Sequence, residues 1–191
     1  MLTVLAITAA MFTQAAAPQQ ATTDDGPIRT AARGAESGPE LRLREALAYS
    51  NPLPRGAPSE DYPLVAWCDA LVSGHVRLGE SLTDRNPEDL EIMRLGRLEA
   101  SDFRSALAIA APRQTAAARA AAAQAAEAAT ARWTPLMAQE DETARSQAFG
   151  LFFGLPGRCE HAARRIRANV TSAPATLDEV GLRSEGADPA Q

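Results

Sequence analysis

From Leu64 onward the apolar positions of this chain fall into helical register. Leu64, Cys68, Leu71, His75, Leu78 and Leu82 recur at steps of four and three, so they share one narrow stripe. Val65, Val72 and Val76 widen the stripe on one side, while Ala66, Ala70, Ser73, Arg77 and Ser81 fall on the far face. The spacing predicts a helix over 63–82, opening on Pro63, a residue suited to a first helical turn.

A second helix is signalled by Asn86 as N-cap, Pro87 in the first turn, and Glu88 and Asp89 placed to complement the helix dipole. Met93, Ala100, Phe103, Leu107 and Ala110 make its main stripe, and Leu95, Leu98 and Ile109 make a patch nearly opposite. Apolar residues on two sides predict that this helix is the central one. Pro112 then either kinks it or starts another; with no capping residue ahead of it, a kink is favoured.

Residues 115–132 have high helix propensity and no apolar side chain larger than Ala. Such a helix can let a neighbour approach closely or project as a solvated arm. Thr134 and Pro135 begin a helix running to about Phe149, with Leu136, Met137, Ala144 and Ala148 as its apolar positions. The Gly-rich corner "GLFFGLPG" is expected to dock through Phe152 and Phe153. A last helix over 158–169 buries Cys159, Ala163, Ile166 and Val170.

The flanks read differently. Residues 18–60 are polar, punctuated by Gly and Pro, and predict a mostly disordered linker, although Leu43, Ala46 and Leu47 allow a short helix over 40–49. Residues 171–191 read as a disordered tail. The fold class is therefore all-α: a small bundle of four to five helices over 61–170, with disordered N- and C-terminal tails. The chain carries 42 alanines and only 5% aromatic residues, so its core must be built of small side chains around Leu.

Residues 1–17 read as a secretory signal peptide. Leu2 to Phe12 form an apolar run too short to span a bilayer, and Ala15-Ala16-Ala17 supplies small residues suited to cleavage. A positive n-region is missing. All 19 basic residues are Arg, which together with the Ala, Gly and Pro content fits a GC-rich bacterial genome. The expected location is thus the periplasm or the exterior, with no stable membrane span once the signal is removed. A net charge of −5 argues against nucleic acid as a partner. Arg158, Arg164, Arg165 and Arg167 form one basic patch, read as a solvated helix face.

In an oxidising compartment, two cysteines read first as a disulfide. Cys68 and Cys159 each lie near the start of a helix, within an apolar stripe. Helices running the same way bring them to one level, as five alternating segments would. The bond closes a loop of about 90 residues and stabilises by roughly 4–5 kcal/mol in the chain-entropy picture. Competing chemistry fits poorly. For zinc, Cys68 and His75 stand about 10.5 Å apart along the helix, and Cys159 and His161 point about 200° apart, which predicts His161 facing solvent. There is no haem-attachment motif, and Glu88/Asp89/Glu91 and Glu140/Asp141/Glu142 lack calcium-loop spacing. Cys159 beside Arg158 at a helix start is the one candidate nucleophile, but helical geometry turns His161 away from it. No metal, cofactor or catalytic residue is assigned.

The expected function is that of an exported, non-enzymatic interaction or structural module stapled by Cys68 and Cys159, with an unknown protein partner. The alternative is a carrier of a small ligand or cofactor in an interior pocket near His75. As a core residue, His75 is expected to bond a backbone carbonyl or an acidic side chain and to stay neutral.

Overall fold

The structure, a computed structural model, describes residues 37–152 and 154–182. The expected signal over 1–17, the linker up to residue 36, Phe153 and the tail from 183 lie outside the described residues. Six helices of nine residues or more are formed: α1 (Gly38–Ser50), α2 (Asp61–Glu80), α3 (Pro87–Ala110), α4 (Ala116–Ala131), α6 (Glu142–Gly150) and α7 (Gly157–Arg167). A single turn, α5 (Thr134–Met137), joins α4 to α6, and no strand occurs among the described residues. The helix number thus slightly exceeds the expected four to five.

Local chemistry sets most of the boundaries. Asn86 caps α3 by accepting from the Asp89 amide at 2.9 Å, and the Asp89 carboxylate returns the bond to the Asn86 amide. Ser37 and Glu40 make the same reciprocal pair at α1. Pro112 does not kink a continuous helix. The chain tightens into a 3-10 turn at Ala111–Arg113, becomes extended at Gln114 and restarts as α4, where Thr115 accepts from the Ala118 amide. The cap that sets this break follows the proline rather than preceding it. The single helix expected over 134–149 is likewise divided, because Asp141 caps a new start at Glu142.

α2 is the central helix, which corrects the expectation for α3. Thirteen of its residues are buried, Ala66 on the far face included. The explanation is α4. Its Ala122, Ala125 and Ala129 are buried against α2, so the alanine run is a packing surface and not a solvated arm. Two small-residue faces bring the backbones close together. At the end of α4, Trp133 lies directly over Gly74, where an added Cβ would stand 2.0 Å from Trp133 Cδ1. Only glycine leaves room for the indole there.

Side-chain ties give the helix directions. Cβ positions at Gly96 and Gly79 would touch Val76 and Met93, and Arg97 pairs with Glu80, so α3 runs antiparallel to α2. α4 runs parallel to α2, with Trp133 at Gly74 and Ala125 sharing a cleft with Pro63. α7 is antiparallel to α2, since Cys159 meets Cys68 while Arg165, further along α7, meets Asp61 at the start of α2. The cysteines therefore share a level without the parallel arrangement expected for them. A single bond between two helices fixes where they meet and leaves their relative direction open.

α7 ends in a left-handed turn. Asn169 takes φ 55°, and the Val170 amide donates back to the Arg165 carbonyl at 2.9 Å. Val170 itself is 41% exposed and falls outside the buried stripe. Arg113, from the turn after α3, donates to the Ile166 carbonyl at 2.9 Å and satisfies the same helix end.

Candidate functional site

The polar groups gather around α7, the helix that carries both Cys159 and His161. Cys68 and Cys159 form a disulfide with sulfurs 2.06 Å apart and Cα atoms 6.1 Å apart. Both residues are essentially without solvent contact. Their sulfurs are bonded to each other, so neither serves as a thiolate nucleophile or metal ligand in this state. No group of three or more His, Cys, Asp or Glu side chains converges to hold a metal among the described residues.

Below the disulfide, Arg165 is buried and organises an ion cluster. Its Nε donates to Asp61 Oδ2 at 2.8 Å and its Nη1 to Glu45 Oε1 at 2.9 Å, while Nη2 donates to the Ser172 carbonyl. Tyr49 donates its hydroxyl to Asp61 Oδ1 at 2.5 Å. Burial, followed by the bond to Asp61, pushes that phenol well above the ordinary tyrosine range. Arg158 stands over the Tyr49 ring, 4.4 Å from its centroid, and donates to the Tyr49 carbonyl. One node thus ties α1, α2, α7 and the segment after α7 together.

The arginines of α7 are engaged and do not form the solvated patch expected of them. Arg167 bonds Asp102 at 2.6 Å, Arg164 bonds Glu160 at 2.9 Å, and Arg158 and Arg165 belong to the node. α1 extends the helix allowed over 40–49 and, unlike a linker, is docked here through Arg44–Glu160 at 3.2 Å and through Glu45. Ala175, in the expected tail, is buried against this region, its amide 3.3 Å from Glu45 Oε2.

The two histidines part company in an unexpected way. His75 is a core residue, as expected, with Nε2 2.9 Å from the Phe149 carbonyl. A carbonyl only accepts, so Nε2 carries the proton. Phe149 and Phe152 lie against the imidazole with ring centroids 4.4 Å away, and Trp133 stands at 5.9 Å. Three aromatic rings thus pack around the imidazole.

His161, expected to face solvent, is only 4% exposed. A 200° separation from Cys159 turns His161 to solvent only if α7 has one buried face, but this helix packs on α2 and α3 along one side and under α1 along another. His161 lines a cleft of about 480 Å³ between α1, α7 and residues 170–179. It makes no hydrogen bond within the described residues. Sequence reasoning missed this cleft because it forms only where α1 and residues 168–179 meet α7, a long-range juxtaposition that local periodicity does not encode.

Burial holds both imidazoles below their ordinary pKa of 6.5. The bond to Phe149 opposes this at His75. At His161, Glu160 and Glu45 oppose it, while Arg164 and Arg44 reinforce it. A depressed folded-state pKa gives stability that is complete above the unfolded value and is lost as pH falls through the folded one. Urea midpoints should therefore drop between pH 7.5 and 5.5, with an upper limit of about 1.4 kcal/mol per pH unit for each imidazole. The His161→Gln variant should show a shallower drop; equal slopes would contradict the assignment.

No helix among the described residues is long and apolar enough to cross a membrane. No family model matches the chain, and comparisons with curated proteins and with solved structures also find no match. The fold and the polar cluster define a disulfide-stapled helical bundle, and its function must be argued from its own residues.

Proposed function

We propose that this chain is an exported, non-catalytic binding module whose protein partner docks on the outer face of α3. The observation that carries the reading is the second face of that helix. Leu90, Leu98 and Ile109 are 45–50% exposed, although Met93, Phe103 and Ala106 on the other side are buried. Leu98 and Ile109 lie eleven residues apart, about three turns, and so project in nearly one direction. Arg94 and Arg97 flank them, and arginine is enriched at protein interfaces. The disulfide supports an oxidising compartment, and the node around Arg165 supports a rigid scaffold for the docking helix.

Site-specific photo-crosslinking in the periplasm of a producing bacterium tests this reading. A photoreactive residue at position 98 or 109 should give one discrete adduct, and the same residue at Ala123, on the exposed side of α4, should not. Identical adducts at all three positions, or none at 98 and 109, would overturn it.

A further inference from the structure

α1 is tied to the bundle by polar groups and little burial. Ala46 is its one buried residue, Leu43 and Leu47 stay exposed, and its main helical neighbour is α7. Arg44 Nη2 lies 3.2 Å from Glu160 Oε2, Glu45 Oε1 accepts from Arg165 at 2.9 Å, and the Tyr49 carbonyl accepts from Arg158 at 2.7 Å. The chain after α7 hangs on the same groups. The Ser172 carbonyl accepts from Arg165, the Ala175 amide donates to Glu45 Oε2 at 3.3 Å, and Glu179 stands 3.8 Å from Arg42. One carboxylate, that of Glu45, thus joins α1, α7 and residues 172–179. Both ends of this assembly are fixed. Leu53 and Ala57 pack against the core and the Arg55 carbonyl accepts from Arg132, which pins the chain beyond Pro52. At the other end the Val170 amide holds to the Arg165 carbonyl.

We propose that α1 and residues 172–179 form a clasp that opens as one unit, on hinges at Asn51 and Thr171, while the disulfide-stapled bundle stays folded. Ion pairs add little net stability once their desolvation is counted, so a layer held by them opens before a packed core does. A free helix of 13 residues is marginal in water, so α1 unwinds as it leaves. Closed, the clasp is an autoinhibitory cover: Glu45 and Tyr49 occupy Arg165 and Arg158, and His161 is shut from solvent. Open, that face of α7 is accessible. α7 itself stays in place through the disulfide, Arg165–Asp61 and Arg167–Asp102, so the docking face on α3 is unchanged and the proposal stands apart from it.

Native-state hydrogen exchange of the full chain, followed by mass spectrometry, tests this. Amides of residues 38–50 should be protected at least about tenfold less than those of residues 64–78 in α2, the signature of a sub-global opening. Glu45→Gln keeps the side-chain shape and removes the charge that joins the three segments. It should speed exchange in 38–50 and in 172–179 alike by about tenfold, the size of one bond to a charged group, and leave 64–78 as in wild type. Arg97→Gln, which breaks a pair between α3 and α2, should leave both clasp segments unchanged. Protection of 38–50 equal to that of 64–78 would overturn the proposal. So would acceleration by Glu45→Gln of one clasp segment alone, of neither, or of 64–78 as well, and so would the same acceleration in Arg97→Gln.

Discussion

Replacing Cys68 and Cys159 together by alanine lowers the unfolding free energy by about 4–5 kcal/mol, most of what a marginal domain has. The bond closes a loop spanning 91 positions, so its loss releases a long stretch of the unfolded chain. The folded state loses something as well. Both cysteines are buried in the main core cluster, among Leu64, Val72, Phe103 and Ile166, and two truncated side chains leave unfilled space there. A core so rich in alanine contributes little packing per residue to offset this. Urea unfolding of the double variant, compared with oxidised wild type, measures the effect. The denaturant dependence should steepen as well, because the uncrosslinked chain exposes more surface on unfolding. A loss smaller than about 2 kcal/mol would mean that the bond is peripheral to stability.

The second large effect belongs to Arg165. Substituting Met for it should cost about 3–5 kcal/mol, the usual penalty for removing one partner of a buried ion cluster. Asp61 and Glu45 would remain, mostly shielded from solvent, with their shared cation gone, and the Ser172 carbonyl would lose its donor. Tyr49 still donates to Asp61, so part of that carboxylate stays satisfied. The mechanism predicts its own rescue. Neutralising the acids as well, in an Arg165→Met, Asp61→Asn, Glu45→Gln triple variant, should recover at least half the loss. If the triple variant is no more stable than Arg165→Met alone, the penalty comes from lost packing of the long side chain rather than from stranded charge.

Much of this architecture is legible in the sequence, and its gaps share a cause. The stripe from Leu64 to Leu82 announces α2, and the placement of Cys68 and Cys159 within apolar stripes announces their bond. Large side chains carry that signal and alanine does not. The far face of α2 therefore reads as exposed, while α3, with Leu95, Leu98 and Ile109 on its second side, reads as central. The structure reverses these roles, because Ala122, Ala125 and Ala129 of α4 bury the small face of α2. The same blindness applies to charged contacts. α1 looks like part of a linker because Arg44, Glu45 and Tyr49 are polar, yet these residues anchor it to α7.

His161 shows the second kind of gap. Angular spacing from Cys159 is sound geometry, but it says where a side chain points and nothing about what stands there. Once α1 covers the outer side of α7, outward becomes inward, and a histidine expected in solvent forms the wall of a cleft. His75 was readable because it sits within a stripe that any fold of this helix would bury, and the bond to the Phe149 carbonyl follows from that burial. Pairings across long separations, such as Arg165 with Glu45 and Asp61, have no local signature.

We propose that this bundle, held by the Cys68–Cys159 bond, is an exported protein. Intact mass spectrometry of the full chain, produced in a bacterium with its own N-terminus and alkylated in denaturant without reductant, tests it most directly. The expected product is a chain that has lost its first 15–17 residues, takes up no alkylating agent, and weighs less than the dithiol form by the mass of two hydrogens. A chain retaining Met1 with both Cys68 and Cys159 alkylated would contradict it.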